Sequence, residues 1–82
     1  MSHRQFSERL NKELDNMGVP HLSNERVEIF AKLVKVRPYK AQQLLNGITL
    51  PDPQLLSTLA QELDVNSDWL LGRSEHRHGE SN

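Results

Sequence analysis

Residues 30–47 read FAKLVKVRPYKAQQLLNG. Phe30, Ala31, Leu33 and Val34 close one helix, and Lys35, Val36 and Arg37 form a turn. A second helix opens at Pro38, carries Ala41, Leu44 and Leu45 at helical spacing, and stops at Asn46-Gly47. Ala31 is small where the two helices cross, so the second can approach closely. Val36 is apolar and pins the turn to the core. Pro38 suits the first helical position, where its missing N–H would have had no intrahelical partner. Gly47 adopts at no steric cost the left-handed conformation that ends a helix.

Ala41 and Leu44, three apart, face inward. Tyr39, Lys40, Gln42, Gln43 and Asn46 then face outward, and all five can donate or accept hydrogen bonds, as base and phosphate contact requires. Two short helices joined in this way form the pattern of a helix-turn-helix, whose second helix enters the DNA major groove. The competing interpretation is a plain helical hairpin within a small bundle, on which glutamines are simply good surface helix formers.

On the N-terminal side, residues 1–5 are polar and are expected to be flexible. Phe6, Leu10, Leu14 and Met17 make one apolar stripe on a first helix running roughly over 6–17, with Gln5 or Ser7 as its cap. Arg9, Lys12, Glu13 and Asp15 are expected to face water. Gly18 stops the helix and Pro20 prevents its resumption. Ser23 or Asn24 is the candidate cap of the second helix, which carries Glu25 and Glu28 near its positive end. Neither has glutamate or glutamine three residues on, so there is no capping box. On the C-terminal side, Asp52 is a cap with Pro53 as the first helical residue. Leu55, Leu56, Leu59, Ala60 and Leu63 then form the apolar face of a fourth helix. Val65 plugs a turn, Asn66 or Ser67 caps a short fifth helix with Trp69, Leu70 and Leu71, and Gly72 ends it. Residues 73–82, RSEHRHGESN, contain no apolar side chain and read as a disordered polar tail.

Eighty-two residues make one domain, here 6–72, with a single small core. No apolar run is long enough to span a bilayer. The N-terminus leads straight into an amphipathic helix without a signal peptide, and the absence of cysteine excludes a disulfide framework and a thiolate zinc site. A cytoplasmic protein is expected. The net charge of −1 argues against a strong nucleic-acid binder, but its distribution does not. Residues 25–50 hold Arg26, Lys32, Lys35, Arg37 and Lys40 against Glu25 and Glu28, whereas 51–72 hold Asp52, Glu62, Asp64 and Asp68 and no base. A field of that shape orients a molecule on DNA.

The order of these segments, with FAKLVKVRPYKAQQLLNG followed by LPDPQLLSTLAQELDVNSDWLLG, resembles the phage repressor and Cro-like (XRE-type) helix-turn-helix DNA-binding domains over roughly 6–72. The resemblance implies an all-α, compact five-helix lambda-repressor-like bundle containing the helix-turn-helix. It implies a bacterial or phage-encoded transcriptional regulator, a repressor, that binds double-stranded DNA as a homodimer on a palindromic operator. Carried over by position, Arg37, Tyr39, Lys40, Gln42 and Gln43 occupy the readout surface, and Asn46 lies near the backbone at the helix end. Asn24 and Arg26 would face a phosphate, and Lys35 and Lys40 are most simply phosphate contacts. Two departures stand out. Lys35 sits where the family usually has glycine, which predicts a left-handed lysine at a cost on the order of 1 kcal/mol. Arg37 stands where a serine cap is common, and a guanidinium cannot accept a hydrogen bond.

Elsewhere the bland interpretations prevail. Trp69, beside two leucines, is expected in the core. His76 and His78, with His3 and His21 elsewhere, do not make a metal site, and no cofactor is expected. There is no nucleophile–base motif and no phosphate-cradling glycine loop, so an enzyme with a small-molecule substrate is not expected. Without a second domain, a dimer would have to use the fourth and fifth helices through Leu56, Leu70 or Leu71. The alternative to DNA binding is a protein-interaction module, or an antitoxin-like regulator, that kept the fold. The acidic 51–72 segment motivates it.

Overall fold

Five helices follow one another: α1 (His3–Asn16), α2 (Ser23–Val34), α3 (Pro38–Leu45), α4 (Pro53–Leu63) and α5 (Ser67–Leu70). The computed structural model describes residues 3–78, and among these there is no strand. Phe6, Leu10 and Leu14 from α1, Phe30, Ala31 and Val34 from α2, Ala41, Leu44 and Leu45 from α3, Leu59, Leu63 and Leu70 from the last two helices, and Leu71 just after α5 share one buried cluster. The Cα radius of gyration is 11.8 Å, close to the ~12 Å that size scaling gives a folded chain of this length. The expected all-α bundle is therefore present. α2 packs on α3 and α4, α5 packs on α4 and α1, and α1 also packs on α3.

The helix ends follow local chemistry. Pro38 and Pro53 each stand in the first turn of their helices, and Asp52 Oδ1 accepts from the Leu55 N–H at 2.8 Å. Asn66, not Ser67, caps α5 through the Asp68 N–H. α3 has no side-chain cap, as Arg37 requires. Lys35 is left-handed at φ 60°, ψ 47°, and Gly47 at φ 72° follows the end of α3. The cap expected at Ser23 or Asn24 is absent: α2 already includes Ser23, and Leu22 precedes it with no side-chain cap.

Four further expectations are corrected. α1 begins at His3, inside the stretch expected to be flexible; residues 1–2 of that stretch lie outside the described residues. Met17 falls beyond the helix and is about half exposed. Leu70 and Leu71 are buried, so of the three leucines proposed for a dimer face only Leu56 is partly accessible. Glu13 and Arg9 do not face water. Glu13 is 2% exposed and binds Arg77 through both carboxylate oxygens at 2.7 Å. The Arg9 guanidinium lies 4.8 Å above the half-buried Trp69 ring and donates to the Trp69 and Ser74 carbonyls.

These contacts also change the C-terminal boundary. Residues 73–78, expected as part of a disordered tail, turn back over α1 and α5, while 79–82 lie outside the described residues. The Asn66 N–H donates to the Arg77 carbonyl at 2.6 Å, and its amide nitrogen donates to the His76 carbonyl. The Glu13 carboxylate raises the Arg77 pKa further above its already high ordinary value through the hydrogen bonds it accepts from the Arg77 guanidinium. No buried side-chain nitrogen or oxygen among the described residues lacks a partner.

Candidate nucleic-acid interface

α3 divides cleanly between two environments. Ala41, Leu44 and Leu45 are buried, whereas Tyr39, Gln42 and Asn46 are exposed, Tyr39 at 72%. Lys40 and Gln43 are half-buried at the margins. The turn places exposed Lys35 and Arg37 before the helix start. Lys35 and Lys40 line one cleft with Val34, Val36, Asp52 and Gln54. On the other side, Ser23, Asn24 and Glu28 line a shallow groove with Pro38 and Gln42, so the start of α2 adjoins the outer face of α3. Eight of the nine expected contact residues thus border one surface: Asn24, Lys35, Arg37, Tyr39, Lys40, Gln42, Gln43 and Asn46.

Arg26 is the exception and is corrected here. It is 5% exposed and cannot reach a phosphate. Its guanidinium uses all five N–H donors internally. Nε donates to the Pro20 carbonyl at 2.9 Å, and Nη1 to the Asn11 carbonyl and Oδ1 at 3.2 and 3.1 Å. Nη2 donates to Asp15 Oδ1 at 2.6 Å and to the Val19 carbonyl at 2.8 Å. The hydrogen bond and charge of Arg26 hold the Asp15 carboxyl below the usual carboxylate range, against a smaller opposing effect of burial. Asn11 carries this network onward, because its amide nitrogen donates to the Leu45 carbonyl at 3.0 Å, where the Ser7 hydroxyl also donates at 2.6 Å. A carbonyl in the last turn of a helix has no intrahelical partner. Here α1 supplies two, and so fixes the end of α3.

Ser7, Asn11 and Arg26 therefore hold α3 in place, and the roles of Ser7 and Asn11 are not visible from apolar spacing. A signal for Arg26 did exist. It lies four residues before Phe30 and eight before Val34, on the buried stripe of α2, where an arginine must find internal partners.

Charge pairing separates the cations into two groups. Arg4, Arg9, Arg26, Arg73 and Arg77 each have a carboxylate within 4.0 Å: Glu8, Glu75, Asp15, Asp68 and Glu13 respectively. Among the described residues Arg37 is the arginine left without one. Lys32, Lys35 and Lys40 around it are also unpaired, as is Lys12 on α1, and residues 29–51 contain no acid. On the outer face of α3, the Gln43 amide nitrogen donates to the Tyr39 hydroxyl at 3.1 Å. Among the described residues no group of three His, Cys, Asp or Glu side chains could hold a metal ion, and no helix is long and apolar enough to cross a membrane. No family model, curated protein or solved structure matches the chain, so its resemblance to a family rests on the residues quoted above.

Proposed function

We propose that this protein is a sequence-specific regulator of transcription, a repressor, that binds double-stranded DNA with α3 in the major groove, as a dimer on a palindromic operator in a bacterial cytoplasm. The observation that carries this proposal is the charge partition. The arginine at the start of α3 and the lysines flanking it are left without carboxylate partners, while the other arginines are neutralised. Unpaired cations beside a helix whose exposed face is Tyr, Gln, Gln and Asn suit a ligand with phosphates outside and polar base edges inside. Arg37, Lys35 and Lys40 would bind phosphate, Asn24 would donate to phosphate at the start of α2, and Tyr39, Gln42, Gln43 and Asn46 would face the groove.

Fluorescence anisotropy with random-sequence duplex DNA tests this. Three cationic phosphate contacts per copy give a slope of about −2.7 in log affinity against log salt, and two copies about −5. The single-copy slope is a loss of roughly 40-fold between about 50 and 200 mM salt. Lys40→Ala and Arg37→Ala should each reduce the slope by about 1. Absence of binding at the lower salt, or unchanged slopes in both variants, refutes the proposal.

A further inference from the structure

The two outward glutamines of α3 are not equivalent. Gln42 is exposed and makes no side-chain hydrogen bond among the described residues, whereas the Gln43 amide nitrogen donates to the hydroxyl of Tyr39, one turn earlier. We propose that Tyr39 is a positioning residue that orients the Gln43 amide to read adenine, and that Gln43, not Gln42, carries this specificity. The inference rests on the DNA-binding proposal and adds to it which base is read and what fixes the reader.

The chemistry follows from counting donors. A carboxamide has two N–H donors and one carbonyl acceptor. With one N–H directed to Tyr39, the exposed edge of Gln43 keeps one N–H beside one carbonyl oxygen. Adenine offers the complement in the major groove, an acceptor at N7 and a donor at N6. Guanine offers two acceptors, N7 and O6, and would leave the Gln43 carbonyl facing an oxygen. Free to rotate, an amide can turn either end outward; held by Tyr39, it presents one edge. The hydroxyl, acting as acceptor toward Gln43, retains its own proton to donate to a phosphate oxygen. Tyr39 would thus couple backbone contact to base reading.

The test has two stages. A random-sequence duplex library is selected on the wild-type protein, and the winning duplex is then measured against its single-base variants by anisotropy. Wild type should show one adenine whose replacement by guanine costs about tenfold or more, within the range of a good bidentate pair. Tyr39→Phe removes only the hydroxyl of an exposed side chain. It should reduce that penalty to about threefold while leaving penalties at the other positions unchanged. Gln43→Ala should abolish the penalty at that position alone, and Gln42→Ala should leave it intact. Lys40→Ala serves as the contrast, weakening all duplexes alike. Melting curves check that each variant folds. A full adenine penalty in Tyr39→Phe, or its survival in Gln43→Ala, overturns the inference while leaving the DNA-binding proposal standing. Failure of wild type to bind any duplex at low salt overturns both.

Discussion

Replacing Arg26 by alanine separates a structural arginine from a phosphate contact. The side chain donates five hydrogen bonds from inside the protein. Hydrogen bonds from charged donors are worth about 1.5–3 kcal/mol each, so a simple sum exceeds roughly 8 kcal/mol. Much of that returns on truncation. Pro20 and Asp15 are exposed and can rehydrate, and folding no longer has to order an arginine side chain, worth up to about 2 kcal/mol. A net loss of about 3 kcal/mol remains, at the lower end for breaking a buried charge network. A domain of this size has only about 4–12 kcal/mol in total. The melting midpoint of Arg26→Ala should therefore fall by roughly 12–24 °C. Arg26→Lys keeps the charge but has three donors and should recover only part of the loss. Circular dichroism melting gives the stability, and anisotropy well below the midpoint gives the intrinsic affinity for DNA. The buried network predicts a large thermal shift, and the DNA-binding proposal adds near-normal affinity in the folded variant. A midpoint within about 3 °C of wild type with weakened, less salt-sensitive binding would mean that Arg26 is a surface phosphate ligand after all.

Three other outcomes follow from local geometry. Lys35→Gly should raise stability by roughly 0.5–1 kcal/mol, because the left-handed backbone at φ 60° costs a lysine more than the extra freedom glycine brings to the unfolded chain; a loss in urea denaturation would contradict this. Gly47→Ala should cost about 1–2 kcal/mol from left-handed strain alone; its Cβ would also lie 3.1 Å from the His3 carbonyl oxygen and from Ser7 Cβ, and an unchanged denaturation midpoint would contradict the left-handed turn. The Asp15 pKa is lowered on folding, chiefly by the Arg26 hydrogen bond, so its contribution is present above the ordinary value of about 3.9 and is lost as pH falls through the depressed one. The stability difference between wild type and Asp15→Asn should accordingly shrink as pH falls from about 5 to below about 4; a difference that grows over that range would refute the assignment.

The elements legible in the sequence were those set by neighbours close in the chain. Pro38, Asp52-Pro53 and Gly47 act within a turn of themselves, and the apolar positions of α2, α3 and α4 repeat at the helical period. The left-handed Lys35 was legible only through the resemblance, because it stands where that family usually has glycine. Polar residues whose partners are remote were not readable. Glu13 meets Arg77 across 64 positions, Arg9 meets the Trp69 carbonyl across 60, and Arg26 meets Asn11 across 15. A period-based interpretation assigns every charge to water, yet Glu13 falls seven residues after Phe6, on the buried stripe of α1. Residues 73–78 looked structureless because they contain nothing apolar. They are held instead by Arg77 on a buried carboxylate, by Arg9 on the Ser74 carbonyl, and by Asn66 on the His76 and Arg77 carbonyls.

The same pairing explains why net charge misleads here. Glu8, Glu13, Asp15, Asp68 and Glu75 are matched to five arginines, so those ten residues contribute little to the outer field. Of the remaining bases, Lys32, Lys35, Arg37 and Lys40 collect at 32–40 and Lys12 stands apart on α1, while the acids at 62 and 64 lie on and just after α4. At physiological salt the Debye length is about 8 Å, whereas the molecule measures 38 × 23 × 20 Å. A ligand approaching α3 is screened from charges on the far side and meets Lys32, Lys35, Arg37 and Lys40, with Asp52 and Glu28 as the nearby acids. Asp52 is already held by the Leu55 N–H at the start of α4. What a polyanion senses is therefore the local excess of unpaired cations, which a protein of net charge −1 can present as well as a basic one.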